Sequence, residues 1–431
     1  MKNRLITAAV GAALLSVAYV PAASAQSSEL EQLKAQLQAL QAKVEKLEKD
    51  QKTTEASADK ALDTVAQTRA GVGEWVGRFQ WKGDFRYRNE NIKQELNPAE
   101  RNRDRMRVRA GFIARVNDTV RTEIQLTTGE SLASGGYGDA RSPNQTLTDA
   151  NSRKRVWFDT AYAEWAPNAN FKVTFGKMRY PWFRPTGVLF FDNDINPEGI
   201  AARFASGPFF ANAFGMVLSE RATASDASLL GGQMGLTGQI GGMKLTGALG
   251  YFDVGSVQGQ VTTTTTTPAC AANPAFFLGS TNGNTTVANA AGCPTLLFDF
   301  NMIEAVAQAE FTIANQPLQI FAQYIQNEDA DDLDTGWLAG FNWGKASNPR
   351  SWEFGYAYGL IEKDSTFGQF VDSDFGGGIT DIEGSIFKVG FAPAKNWVLN
   401  GTYFMNQRFI DAPGAIQRGY DRYQVDLNWK F

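Results

Sequence analysis

Basic side chains recur at every second position in two neighbouring segments of this chain. Residues 78–121 hold twelve basic and six acidic residues, although the whole chain has a net charge of −4. Successive side chains of a β-strand point to opposite faces, so this spacing places the charges together on one face. Fixed cations on a water-filled wall attract and orient anions. We expect this basic ladder to comprise Lys82, Arg86, Arg88, Arg105, Arg107, Arg109 and Arg121.

Histidine is absent from the chain, which excludes imidazole bases, Ser–His pairs and histidine metal sites. Four aspartates fall within residues 329–334, but their spacing lacks the glycine and terminal glutamate of a calcium loop. The arginine run at 101–109 could suggest a nucleic-acid partner. However, its arginines alternate with other residues at period two, as in a strand, and the chain carries an export signal, so a nucleic-acid partner is disfavoured. We therefore predict no catalytic residue, no metal, no cofactor and no nucleic-acid partner, and hence a protein that is not an enzyme.

Period-two alternation also dominates the rest of the chain. In residues 423–431 the odd positions are aromatic or aliphatic and the even positions are polar. After residue 25, no stretch approaches the roughly 18 consecutive apolar residues of a membrane-spanning helix. A membrane protein of this kind must be a closed barrel, which leaves no backbone polar group facing lipid. We expect an apolar outer face and a wet interior.

Alternation and turn signals predict sixteen strands. Short turns such as Asn117-Asp118 and Gly241-Gly242 alternate with long loops, as in outer-membrane barrels. The predicted fold is all-β: a 16-stranded antiparallel transmembrane β-barrel preceded by a short α-helical coiled coil. The predicted strands span 78–90, 104–117, 119–128, 154–166, 171–178, 199–206, 209–219, 229–240, 243–253, 299–314, 317–327, 334–345, 350–362, 381–392, 396–408 and 419–431.

The predicted domains are a signal peptide (1–25), a coiled coil with its linker (26–77) and the barrel (78–431). The signal peptide has a positive start at Lys2 and Arg4, an apolar core, and the small-residue cleavage site Ala23-Ser24-Ala25. The alternative for this segment is a membrane-spanning helix, which the short apolar stretch and the cleavage signature disfavour.

Residues 26–50 show apolar residues at alternating steps of three and four, which predicts a left-handed coiled coil. The alternative is one amphipathic helix packed on its own protein, but no soluble domain remains to receive it. After Asp50 the apolar spacing decays, and Gly71, Gly73 and Gly77 suggest a flexible joint. The predicted coiled-coil core comprises Leu30, Leu33, Leu37, Leu40, Val44 and Leu47.

Cys270 and Cys293 are the two cysteines, and both lie in one polar loop. In an exported protein we expect them to form a disulfide, which would contribute roughly 3 kcal/mol by restricting the unfolded chain. The alternative is two independent thiols.

Three segments carry a more specific resemblance: Ala161-Tyr162-Ala163-Glu164-Trp165, Gly176-Lys177-Met178-Arg179, and Phe191 to Gly199. They resemble a strand, the following strand and the next long loop of the bacterial outer-membrane putative porins, which are trimeric 16-stranded barrels with a coiled coil before the barrel. The resemblance covers nearly the whole mature chain and is mostly architectural. The phosphate-selective porins O and P are a related alternative, although no phosphate-binding signature matches residue by residue.

The resemblance implies that the third long connection, residues 178–199, folds inward and narrows a channel. Its acids, Asp192, Asp194 and Glu198, would then face the basic ladder across a narrow eyelet. Opposite fixed charges across such an eyelet create a transverse field that sorts solutes by charge and dipole. The alternative is that the arginines are only the solvated face of strands, without a role in selectivity.

The resemblance further implies a cell outer-membrane location, a homotrimer, contacts with lipid and lipopolysaccharide, and recognition of the terminal Phe431 by the barrel assembly machinery. An even strand count places both barrel ends on the short-turn side, so the coiled coil would lie in the periplasm. The expected function is a passive channel for small hydrophilic solutes and ions with a mild anion preference. The alternatives are a channel specific for phosphate or another anion, and an envelope-tethering barrel whose coiled coil contacts peptidoglycan.

Overall fold

The computed structural model describes residues 26–72, 76–131, 137–148, 150–185, 189–221, 225–262, 281–411 and 416–431. The chain divides into two units, residues 1–77 and residues 78–431. The predicted signal peptide lies outside the described residues. None of the described helices is long and apolar enough to cross a membrane.

Helix α1 runs without interruption from Gln26 to Val72 and contains 47 residues. At about 1.5 Å per residue it is roughly 70 Å long. Four of the predicted core residues, Leu37, Leu40, Val44 and Leu47, are exposed along it, and the side chains of Leu30 and Leu33 lie outside the described part. The helix thus extends well beyond Asp50. Gly71 lies within its last turn, not in the joint that we expected.

Residues 78–431 form a closed antiparallel barrel of sixteen strands. Each strand pairs with the next, and the last pairs with the first, with Phe85 opposite Trp429. The prediction of sixteen barrel strands is confirmed, and each of these sixteen overlaps a predicted strand. The strands are β1 (Phe79–Gln94), β2 (Arg101–Arg115), β3 (Val120–Thr128), β4 (Val156–Trp165), β5 (Phe171–Lys177), β6 (Glu198–Ser206), β7 (Phe209–Ser219), β8 (Ala227–Ile240), β9 (Met243–Gly255), β10 (Phe300–Ile313), β11 (Gln316–Asn327), β12 (Thr335–Gly344), β13 (Trp352–Ile361), β14 (Ile382–Ala394), β15 (Trp397–Arg408) and β16 (Arg418–Lys430).

The long loops meet at one end of the barrel and the short turns at the other. Two turns, Ala314-Asn315 and Gly241-Gly242, hold positive φ at both residues (51° and 58°, 55° and 84°). Two-residue hairpins of this kind need positive φ because their twist must match that of the strands. We number the long loops L1 (95–100), L2 (129–155), L3 (178–197), L4 (220–226), L5 (256–299), L6 (328–334), L7 (362–381) and L8 (409–417).

Three short strands were not predicted, and all lie in these loops. Gln145–Thr146 of L2 pairs with β2, and Thr286–Ala288 pairs with Pro294–Leu296 within L5. They are too short for a period-two pattern to be visible.

Alternation sends apolar side chains to the outer face of the barrel. Trp81 is 72 % exposed and Val425 is 57 % exposed there. Aromatic pairs such as Trp397–Trp429 (5.8 Å between ring centroids) and Trp352–Phe391 (4.5 Å) form a band near the short-turn end, as expected at a membrane interface. The outer face is therefore apolar, as we expected.

The chain end extends the closing ladder. The Phe431 amide donates to the Gly83 carbonyl (3.1 Å), and the Gly83 amide donates to the Phe431 carbonyl (2.9 Å). A Cβ at position 83 would lie 2.3 Å from the Phe431 ring and 2.7 Å from the Arg109 carbonyl oxygen, so only glycine fits there.

One half of the lumen is filled by a packed apolar core. The inward-facing Phe214 of β7, Phe252 of β9 and Phe321 of β11 belong to the same buried cluster as Phe191 of L3 and Phe370 of L7. The expectation of a wet interior all the way round is wrong for this half. Apolar residues occupy inward positions here because aromatic loop segments cover them.

Candidate functional site in the lumen

The structure places all seven residues of the basic ladder on the lumen face of β1, β2 and β3. In the antiparallel register Arg86 lies opposite Arg107, and Arg88 lies opposite Arg105. Like charges directly opposite each other are destabilising unless anions compensate them. Each of these arginines must therefore find acceptors nearby.

The compensating groups are carboxylates that are shared. Asp84 accepts from Arg107 and Arg109, each at 2.7 Å. Glu123 lies 2.6 Å from the Lys82 ammonium and 2.7 Å from the Arg179 guanidinium. The same arrangement of one acid with two basic partners holds for Glu90 (Arg103, Arg105), Glu164 (Arg121, Lys172), Asp374 (Arg88, Arg422) and Asp426 (Arg86, Arg88).

Sharing leaves the site positively charged. With Glu130, which lies 3.7 Å from Arg105, the described ion pairs of this wall join eleven basic side chains to seven acidic ones. The excess is four positive charges. By contrast, β7, β8, β11 and β12 contain no charged residue, so the positive charge lies on one side of the barrel.

The ladder divides into a covered part and an open part. Arg86 and Arg105 are buried beneath L2, where the Arg86 guanidinium donates to Asn144 Oδ1 (2.6 Å) and Arg105 donates to the Asn144 carbonyl (3.0 Å). Arg88 and Arg107 are buried as well. Five basic side chains remain 28 % to 52 % exposed, namely Lys82, Arg109, Arg121, Lys172 and Arg179. A solute in the lumen meets this open part.

Loop L3 folds into the lumen and docks on the apolar half. The Trp182 ring lies 4.5 Å from the Phe214 ring and 5.0 Å from the Phe252 ring. The side-chain amide of Gln233 on β8 pairs with both backbone groups of Phe183, at 2.8 Å each. Buried Glu304 of β10 accepts from Gln233 in turn (3.0 Å) and holds its orientation.

Of the three predicted constriction acids, only Asp194 lies beside the ladder. Asp194 lies close enough to Arg86 and Arg107 to interact electrostatically with both. Asp192 is buried (4 % exposed) and does not face the lumen. Glu198 is the first residue of β6, not a loop residue. Ala201, three positions further along β6, is buried and points inward, so alternation places Glu198 on the outer face. There Glu198 pairs with Lys177 (3.0 Å).

Sequence reasoning missed the acid that covers the middle of the ladder. Asp374 of L7 is bonded to Arg88 (2.9 Å) and to Arg422 of β16. Although burial acts against it, the charges of Arg88 and Arg422 lower the pKa of Asp374 well below its usual range. No local pattern marks this residue, since its partner Arg88 is 286 positions away. Arg422 and Asp426, however, lie on the polar face of the last strand and could have been recognised from its alternation.

In L2, Glu130 is a second such acid. Burial alone would raise the pKa of Glu130, but hydrogen bonds from Thr146 and the charge of Arg105 lower it. This carboxylate therefore stays ionised beside the ladder.

The remaining predicted residues lie away from this wall. Cys293 is buried and disulfide-bonded, and Cys270 lies outside the described residues. In the aspartate cluster at 329–334, Asp329 accepts a hydrogen bond from the Asn301 amide (3.1 Å). Among all described residues, no group of three or more possible metal ligands is found.

Comparison with known proteins agrees with this architecture. The family model described as putative porin matches residues 93–290 and 289–431. No curated protein matches the chain. The structure resembles the high-pH structure of OprB from Pseudomonas putida (TM-score 0.55, 12% identity, covering 83% of this chain and 96% of that one).

Two other similar structures are a loop-deletion mutant of OmpT from Vibrio cholerae (TM-score 0.46, 12% identity, 82% and 100% coverage) and a triple mutant of the Rhodopseudomonas blastica porin (0.44, 10%, 82% and 100%). At these identities a structural likeness shows the fold alone. The family match, however, extends over most of the chain, and this protein therefore belongs to the putative porins, outer-membrane β-barrel channel proteins.

Proposed function

We propose that this porin is a passive channel for small hydrophilic solutes and ions and that it prefers anions. The observation that carries the proposal is the shared use of carboxylates along β1–β4 and β16. Each of six acids serves two basic side chains, and within the described ion pairs the basic side chains outnumber the acidic ones by four.

The position of the charge strengthens its effect on solutes. The exposed cations Lys82, Arg109 and Arg121 stand on one side of the lumen, and the aromatic residues of L3 with their apolar support fill the other. Charges confined beside a low-dielectric wall interact more strongly with a solute than they would in bulk water. An anion gains this interaction, whereas a cation of the same size is repelled.

Liposome swelling tests the passive channel. Vesicles carrying the purified protein should swell in an isotonic small neutral sugar without any energy source, and faster in a monovalent anionic sugar of similar size. Protein-free vesicles provide the baseline. Swelling that required an ion gradient, or no swelling above the baseline, would contradict a passive channel.

We further propose that α1 associates with copies of itself as a parallel coiled coil in the periplasm. The three-and-four spacing of Leu37, Leu40, Val44 and Leu47 continues through Gln51, Thr54 and Ala58, with smaller and more polar residues. In that register Lys43 and Glu48 occupy g and e positions, where opposite charges attract between parallel helices.

The oligomeric state in detergent, measured by light scattering, tests this association. Full-length protein should form a homotrimer, and a variant lacking residues 26–72 should dissociate at lower protein concentration. Equal stability of the two assemblies would show that the helix does not hold the copies together.

A further inference from the structure

Loops L3 and L7 are joined directly inside the lumen. The Asp192 amide donates to the Phe370 carbonyl (2.6 Å), and the Asp372 amide donates to the Leu189 carbonyl (3.0 Å). The two loops therefore run side by side over these few residues. We call this contact the L3–L7 seam, comprising residues 189–194 and 370–374.

The Asp192 carboxylate ties the seam together. Its Oδ2 accepts the Ser373 amide of L7 (2.8 Å), and its Oδ1 accepts the Asp194 amide of L3 (2.9 Å). One side chain thus satisfies a backbone donor from each loop. A buried amide left without an acceptor is costly, so losing this carboxylate weakens the seam on both sides.

The other side of L7 reaches the basic wall. Asp374 follows Ser373 directly and binds Arg88 of β1 and Arg422 of β16. Ser373 Oγ also donates to the Arg141 carbonyl of L2 (3.0 Å), and the Arg141 guanidinium donates to the Gly378 carbonyl (2.9 Å). L7 therefore spans the lumen from L3 to the ladder.

Four aspartates lie in the seam, and not all of them form ion pairs. In the described ion pairs Asp374 has two basic partners, whereas Asp192 and Asp372 take part in none. Burial, and then the charges of Asp372 and Asp194, raise the pKa of Asp192 well above its usual range. Burial and the charge of Asp374 raise the pKa of Asp372 to about 6.

Other charged and titratable groups act on this seam from each neighbouring element. They are Tyr180 and Arg184 of L3, Arg141 of L2, Lys388 of β14, and Arg88 and Arg422 of the wall.

We propose that Asp192 is a positioning residue whose carboxyl group fixes L7 against L3, and that protonation at the seam controls how firmly L7 narrows the lumen. The proposal rests on the proposed channel function and adds a pH response to it. It also gives Asp192 a role that differs from the eyelet acid expected from the sequence.

The direction of the response follows from the contacts. Docking raises the pKa of Asp192 and Asp372, so the docked seam holds protons more tightly than a solvated loop does. Docking is therefore strongest in acid and weakens as the pH rises through the raised pKa values.

Single-channel recording of the full-length protein in planar bilayers tests this proposal. The wild-type channel should visit a wider conducting level more often at about pH 8 than at about pH 4. Asp192→Asn keeps one of the two oxygen acceptors but carries no charge, so it should weaken this pH dependence and shift the channel toward the acid behaviour, while Asp372 still titrates. Asp372→Asn should do the same, and Asp331→Asn in exposed L6 should behave like the wild type.

Hydrogen exchange of the 366–376 peptide, corrected for the intrinsic pH effect, gives a second measurement that does not depend on conduction. Protection should fall with rising pH in the wild type and fall less in Asp192→Asn. Heat-modifiable migration on a gel confirms that each variant has folded. Wild-type protection that is independent of pH, or Asp192→Asn with an unchanged pH response, would overturn the proposal. A folded protein that conducts no ions would refute the channel function instead.

Discussion

Arg88 of the first barrel strand and Asp426 of the last are joined by two hydrogen bonds, at 2.7 and 2.8 Å, across the pairing of β1 with β16 that closes the barrel. The two residues lie opposite each other in the register of β1 and β16. Both are buried, at 5 % and 7 % exposure. The pair that closes the fold is thus also part of the charged wall of the lumen.

Replacing Asp426 with Asn should destabilise the barrel. The substitution leaves Arg88 buried with Asp374 as its remaining anionic partner, and breaking a buried pair from one side typically costs about 3 kcal/mol. Denaturant unfolding of the protein in lipid vesicles would measure the loss. Asp118→Asn, at an exposed turn position, is the matched control and should leave the midpoint unchanged. Equal midpoints for the two variants would show that this pair does not stabilise closure.

Replacing Asp84 with Asn should increase the preference for anions. Arg107 and Arg109 share this carboxylate, so its neutralisation releases their charge into the lumen. We expect the anion-to-cation permeability ratio to rise, roughly twofold or more at low ionic strength, where screening is weak. The opposite change, Arg109→Gln, should lower the ratio, because it removes a partly exposed cation. If both variants moved the ratio in the same direction, a structural disturbance would explain them better than charge.

Replacing Gln233 with Ala should loosen L3. The variant leaves both backbone groups of Phe183 without their partner, at a cost of roughly 1–3 kcal/mol for each group that stays buried. Single-channel records should then show larger current fluctuations than the wild type shows. Gln239→Ala, on the same face of the same strand β8, serves as the control, since Gln239 is exposed. If current fluctuations in Gln233→Ala were no larger than in the wild type, the aromatic contacts of Trp182 alone would hold the loop.

Replacing Gly83 with Ala should impair barrel closure. The added Cβ would lie 2.7 Å from the Arg109 backbone oxygen, which cannot move aside as the Phe431 ring can. The yield of heat-modifiable, folded protein in outer-membrane fractions should fall. Gly238→Ala in β8 meets no atom within 4 Å and should assemble normally. Normal yields from Gly83→Ala would show that β1 can shift away from β2 at no cost.

The strands could be predicted because alternation is a local property. Each of the ladder arginines from Arg86 to Arg109 alternates with an apolar neighbour, so its face follows from its position. The filled half of the lumen could not be predicted in this way. Phe214 and Phe252 are apolar residues that face inward, and alternation alone cannot separate an interior covered by loops from an exterior covered by lipid.

The charged site was predicted in part for the same reason. The period-two alternation placed Lys82 and Arg121 on the lumen wall. Glu198 was misplaced because it was assigned to the loop, whereas it is the first residue of β6 and its face follows from the alternation of that strand. Asp374 and the buried position of Asp192 depend on how L3 and L7 fold against each other. Contacts between loops so distant in the sequence leave no periodic signal.

The reversal potential of the wild-type channel in a potassium chloride gradient tests the central claim most directly. The excess of basic over acidic side chains in the described ion pairs of one wall predicts a potential displaced toward that of chloride, and more strongly displaced at low salt. A potential displaced toward that of potassium would contradict the account, because it would mean that the shared carboxylates, not the cations they bridge, dominate the field that a passing ion meets.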